Sequence, residues 1–100
     1  MARSFDSATL TRLRQVPLAE ALQALDVYFK PDRSFEPVKD ACTQRWMVNA
    51  GGADFELLVT GLKWFDTRAG KGGGGAIDLC MHLLGVDFVG AVKLLVRASL

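Results

Sequence analysis

The chain has 100 residues, half of them apolar, and a formal net charge of +1. That length suits one domain over residues 1–100 with a core of its own, and the near balance of charge excludes a global basic field, so any nucleic-acid site must be a local patch. No apolar stretch approaches the roughly 20 residues needed to cross a bilayer, and Met1 to Asp6 has one arginine with no apolar run behind it, so neither a membrane span nor a secretory leader is expected and the cytoplasm is the expected location.

In chain order, Ser7 is the expected cap of a first short helix carrying Leu10 and Leu13, and Pro17 fits the first turn of a second. There Leu18, Ala21, Leu22 and Leu25 recur at helical spacing and form one buried stripe. From Val27 the pattern changes to short runs rich in β-branched and aromatic residues, broken by Pro31-Asp32-Arg33-Ser34 and by Ala50-Gly51-Gly52-Ala53. Arg45 to Asn49, Phe55 to Thr60 and Leu62 to Asp66 read as three antiparallel strands, the last two joined at Thr60-Gly61, where glycine supplies a positive φ. The glycine run Gly72 to Gly75 reads as the link from the sheet to a helix over Ile77 to Leu84. Gly85 closes that helix in the left-handed conformation, and Asp87 caps a last one running to about Arg97, with Phe88, Ala91, Val92 and Leu95 on one face. The fold class expected is α+β, helices before and after a meander.

Little in this chain points to catalysis. The run Gly70-Lys71-Gly72-Gly73-Gly74-Gly75 lacks the Gly-Lys-Ser/Thr ending that brings a lysine and a hydroxyl to phosphates and magnesium, and the strand before it belongs to a meander, not to a βαβ unit. Two readings of the run remain open: a tight turn against the sheet, or a helix start that holds a backbone phosphate with Arg68 and Lys71 beside it. Asp78 reads as a partner for free N–H groups in the first turn of its helix, and His82 as its i+4 neighbour. Cys42 and Cys80 read as small buried residues in a reducing compartment. No paired carboxylates, activated nucleophile or metal cluster stands at a usable spacing, so no catalytic residue, cofactor or metal ligand is assigned.

Trp64-Phe65, the glycine turn, Gly75-Ala76-Ile77-Asp78-Leu79, Leu84-Gly85-Val86-Asp87-Phe88 and Ala91-Val92 with Leu94-Leu95 resemble, in that order, the CHC2-type zinc-binding domain of bacterial DNA primases. The resemblance covers about the last third of the chain, Val16-Pro17-Leu18 is compatible with the start of that domain, and little matches between Lys30 and Asp54. It implies a zinc-ribbon-like antiparallel β-meander flanked by N-terminal and C-terminal helices. The zinc ligands of the family do not carry over, because its two turn cysteines correspond to Thr67 and Gly70. Four strong ligands are needed for a structural zinc, whereas this chain offers only Cys42, Cys80 and His82. The chain therefore looks like a zinc-less version of the domain, of the kind that accompanies primase-like and TOPRIM-containing proteins of plasmids, phages and integrated elements. It reads as a fragment or a very small gene product.

What the resemblance implies is a binding role: contact with single-stranded template DNA through the sheet, in a replication or mobile-element protein. Arg45 and Trp46, Lys63 and Trp64, then Arg68 and Lys71 interleave cations with aromatics, so bases would stack on rings and cations would follow phosphates. Alternation puts Lys63 and Trp64 on opposite faces of their strand. Either Leu62, Trp64 and Asp66 or Lys63 and Phe65 face water; Trp46 reads equally as core or as a stacking ring, and Trp64 reads more readily as core. The competing expectation is a protein-interaction module that lost DNA contact along with zinc and docks a primase, helicase or relaxase through apolar surface.

Overall fold

The computed structural model describes residues 5–100, so Met1 to Ser4, where most of the leader reading falls, lie outside the described residues. Two short helices come first, α1 (Ser7–Arg14) and α2 (Leu18–Ala24), then five strands, β1 (Tyr28–Pro31), β2 (Gln44–Ala50), β3 (Ala53–Thr60), β4 (Lys63–Asp66) and β5 (Lys71–Gly74), and finally α3 (Gly75–Leu84) and α4 (Phe88–Arg97). The strands form one antiparallel sheet in the order β1-β2-β3-β4-β5, each paired with its neighbour in sequence. The α+β meander between helical ends is thus present, with two more strands than the three read from the sequence.

Local chemistry explains most boundaries. Asp6, not Ser7, caps α1, its carboxylate accepting from Thr9 N at 2.7 Å. Pro17 precedes α2, and Asp87 caps α4 by accepting from Gly90 N at 2.7 Å. The β2–β3 hairpin turns through Gly51 and Gly52 with φ of 57° and 79°, the signature of a type I′ turn that matches strand twist. Gly85 ends α3 at φ 64°.

The glycine run is strand before it is turn: Gly75, at φ 84°, turns the chain from sheet to α3 as the turn reading expects, but the residues before it extend the sheet. Lys71 to Gly74 are a strand, paired with Asp66 to Lys63 in register. Glycine carries no side-chain pattern that marks a strand, so its pairing with β4, not its own propensity, puts it there. Trp64 holds that geometry in place: a β-carbon on Gly73 would stand 2.7 Å from Trp64 Cζ2, closer than packed atoms approach.

The core lies between one sheet face and the helices. Leu13, Leu18 and Leu22 from the N-terminal pair meet Leu57 and Val59 of β3, Ile77, Leu79 and Leu83 of α3, and Ala91, Val92 and Leu95 of α4. Trp46 and Trp64 join this core, 6% and 4% exposed. Cys80 is buried as expected, but Cys42 is exposed, because it sits in a polar turn where its N–H donates to Asp40 Oδ1 at 2.8 Å.

Candidate nucleic-acid interface

Pleating decides which residues can meet a ligand, since residues directly opposite in an antiparallel ladder share a face. Trp46, Val48, Leu57, Val59, Trp64 and Asp66 face the helices. The other face, uncovered by any helix among the described residues, presents Tyr28 and Lys30, then Arg45, Met47 and Asn49, then Asp54, Glu56, Leu58 and Thr60, and finally Lys63 and Phe65. One row across it runs Arg45, Leu58, Phe65 and Gly72, and the next pairs Thr60 with Lys63 and Gly74.

Two aromatics lie on this open face: Phe65, 42% exposed, and, across the sheet on β1, Tyr28, 65% exposed. A β-carbon on Gly72 would lie 3.1 Å from Phe65 Cδ1, so the ring leans over bare backbone that only glycine leaves free. Beside it the segment between β1 and β2 folds over, and Phe35, Pro37, Val38, Lys39, Asp40 and Thr43 close a groove of about 640 Å³ with Leu58, Thr60, Lys63 and Phe65. Lys39 and Lys63 are its cations. Asp54 and Glu56 occupy the opposite end of β3, where Lys30 of β1 shares the row of Met47 and Glu56, so the cation beside Phe65 is Lys63.

The six residues picked out in the sequence do not form one patch. Trp46 is inside, its ring 4.8 Å from that of Phe29 and its indole N–H donating to Gln44 Oε1 at 2.9 Å. Trp64 is inside as well, stacked at 4.9 Å on the His82 ring. Neither indole face is open to a base, because strand parity turns both into the core. Arg45 is on the open face but engaged: it pairs with Asp32 and lies 5.2 Å over the Phe35 ring. Hydrogen bonds from Ser34 and Arg45 hold the Asp32 carboxyl down at about 2, and the bond to Asp32 raises the Arg45 guanidinium in turn. Lys63, Arg68 and Lys71 are exposed.

The phosphate cradle read at the start of α3 is not formed. Gly74 N donates to Asp78 Oδ2 at 3.3 Å and Gly75 N to the Leu62 carbonyl at 2.8 Å, so the N–H groups at that end are engaged, as the capping role read for Asp78 expects. Lys71 stands at the far end of β5, three residues and about 10 Å of strand away. Arg68 is in the β4–β5 turn and borders Phe55 and Asp54.

That turn has its own centre, which the sequence did not reveal. Asp66, 2% exposed, accepts from Arg68 N and Ala69 N at 3.0 Å each and bonds His82 Nε2 at 2.7 Å. His82 pairs with this strand carboxylate, not with Asp78, because its side chain points at the sheet. Burial pushes the Asp66 carboxyl up, but the His82 bond and the N–H groups of Ala69 and Arg68 outweigh it and leave the group below its ordinary value of 3.8. Where the resemblance expected two metal-binding cysteines, at Thr67 and Gly70, a carboxylate organises the turn. Among the described residues no group of three or more His, Cys, Asp or Glu is placed to hold a metal ion.

Together these features describe an α+β domain with one sheet face buried under helices and the other grooved, partly covered by the segment between β1 and β2. In sequence, 81 residues, 81% of the chain, align at 34% identity with the "65 kDa protein" of Zymomonas mobilis subsp. mobilis, of whose length the chain spans 12%. No protein-family model matches the chain, and no solved structure does.

Proposed function

We propose that the domain binds single-stranded DNA on its open sheet face, as a non-catalytic template-binding module of a primase-like replication or mobile-element protein. The observation that carries this reading is the half-exposed Phe65, flanked by Lys63 and facing Lys39 and Phe35 across the groove. A ring on a sheet with cations at its edge offers a stacking platform and a path for the backbone, whatever the base. The likeness of the last third of the chain to the primase domain supports the same partner, and the stacking residue moves from the tryptophans to Phe65.

Anisotropy of a labelled single-stranded oligonucleotide, titrated at low and moderate salt, tests it. Binding weakens with salt, Phe65→Ala costs about 1–3 kcal/mol for one stacked base, and Lys63→Glu lowers the salt slope. Absence of binding at low salt would overturn the proposal. The apolar lining of the groove, with Val38 96% exposed, favours the second reading, a protein-docking module. A nuclease-insensitive complex recovered without any DNA binding would establish that instead.

A further inference from the structure

The outer edge of β5 borders a second groove, on the side of the sheet opposite Phe65. It has a volume of about 410 Å³ and is lined by Lys71, Gly72 and Gly73 of the strand, by Trp64 beneath them, and by Asp78, Met81, His82, Gly85 and Val86 along and beyond α3. β5 is the last strand of the sheet, so one row of its backbone groups has no neighbouring strand among the described residues.

The ladder tells which groups those are. Gly75 N donates to the Leu62 carbonyl, so hydrogen-bonded pairs alternate from there: Gly73 turns its N–H and C=O toward Trp64, while Gly72 and Gly74 turn theirs outward. The outward Gly74 N–H is taken by Asp78 Oδ2. The outward N–H and C=O of Gly72 have no partner among the described residues. The Trp64 indole N–H, buried within the wall of the groove, also lacks one. Proteins ordinarily guard such edges with bulky or charged side chains, and Gly72 to Gly74 carry none.

We propose that this edge takes an extended peptide as a sixth, antiparallel strand, with the sequence pattern apolar–any–acidic read from N- to C-terminus. A residue opposite Gly72 exchanges two hydrogen bonds with it, which requires a donor and an acceptor on one backbone unit. A peptide has both, whereas a DNA backbone only accepts, and any nucleic-acid phosphate meets the Asp78 carboxylate. The residue before it lies opposite Gly73 and projects toward α3, into the space among Trp64, Met81 and Val86, where an apolar side chain fits. The residue after it lies opposite Lys71 on that same face, where an acidic side chain complements the ammonium.

The test is a titration of the ¹⁵N-labelled protein with a capped heptapeptide, Thr-Thr-Thr-Leu-Thr-Glu-Thr, and with its counterpart carrying lysine in place of glutamate. The Gly72 amide is expected to shift and to gain protection from exchange with the first peptide. Lys71→Glu is expected to weaken that peptide at least tenfold and to strengthen the lysine counterpart by a similar factor. An unmoved Gly72 amide, or two peptides whose affinities do not cross over on Lys71→Glu, would overturn the proposal. An oligonucleotide that protects the Gly72 amide from exchange as the peptide does would overturn it too. Oligonucleotide shifts at Lys63 and Phe65, with or without a shift of Gly72 beneath the Phe65 ring but with no exchange protection there, leave the peptide edge intact and bear only on DNA binding.

Discussion

Replacing Asp66 with alanine is expected to destabilise the domain by about 3–5 kcal/mol. The carboxylate is 2% exposed and accepts from two backbone N–H groups at 3.0 Å and from His82 at 2.7 Å. Each bond to a charged group contributes about 1.5–3 kcal/mol, but the three share one acceptor and do not add. Truncation also strands Arg68 N, Ala69 N and a largely buried imidazole, and breaking a buried pair from one side typically costs 3–5 kcal/mol. Against a total of about 5–15 kcal/mol for a domain of this kind, that is a large fraction. Asp66→Asn is the control, since its carbonyl oxygen still accepts the two backbone N–H groups and its amide still donates to a neutral imidazole nitrogen; it should cost only about 1–2 kcal/mol. Urea unfolding followed by tryptophan fluorescence reads both, with the midpoint falling and the slope unchanged if the native fold survives. A loss below about 1 kcal/mol for Asp66→Ala would refute the view that this carboxylate holds the turn.

Two further outcomes follow from the same geometry. Asp66 and Asp32 both titrate below the ordinary carboxylate value of 3.8, Asp32 at about 2; a lowered folded-state value means that the unfolded chain binds protons first, so their stabilisation is complete above about pH 4 and is lost as pH falls toward 2. Urea midpoints between pH 2 and 5 check this, and Asp66→Asn should flatten the decline. Gly73→Ala forces a β-carbon to 2.7 Å from Trp64 Cζ2 and is expected to cost about 1–3 kcal/mol through displaced packing, measured as a lower thermal midpoint, whereas a change below about 0.5 kcal/mol would show that the indole yields freely.

The parts of the fold that were legible in the sequence are those whose signal is local. Asp87 and Gly85 announce a helix start and stop by their own chemistry, and Leu18, Ala21 and Leu22 bury the face that their spacing predicts. β5 was hidden because four residues containing three glycines have no alternation to read, and β1 because Tyr28 to Pro31 is short and ends in proline. The choice of wet face was undecidable from Lys63-Trp64-Phe65-Asp66, which places an aromatic and a charge on each side. Only the cross-strand partners resolve it: Trp64 lies beside Val59 and Asp66 beside Leu57, both core residues. Asp66 and His82 are 16 residues apart, beyond any helical spacing rule, so the nearer Asp78 drew the pairing that the structure assigns to Asp66. Strand parity was the available signal, since it puts Asp66 on the same face as a buried Trp64.

The strictly sequential order of the sheet governs how the chain can reach its fold. Two of its ladders close through two-residue turns and a third through four, while β1 and β2 are separated by 12 residues. Chain-closure entropy makes that last loop about 1.6 kcal/mol dearer than a two-residue one. Strands β2 to β5 therefore form a zipper of nearest neighbours, in which each hairpin offers a finished edge to the next. β1, behind the longest loop, is expected to pair last, and α1 is held by contacts distant in sequence, against α3 and through Arg12 on the Leu100 carbonyl. Nearest-neighbour pairing of this kind keeps the sheet's own contacts short in sequence, which is the feature that favours rapid strand pairing.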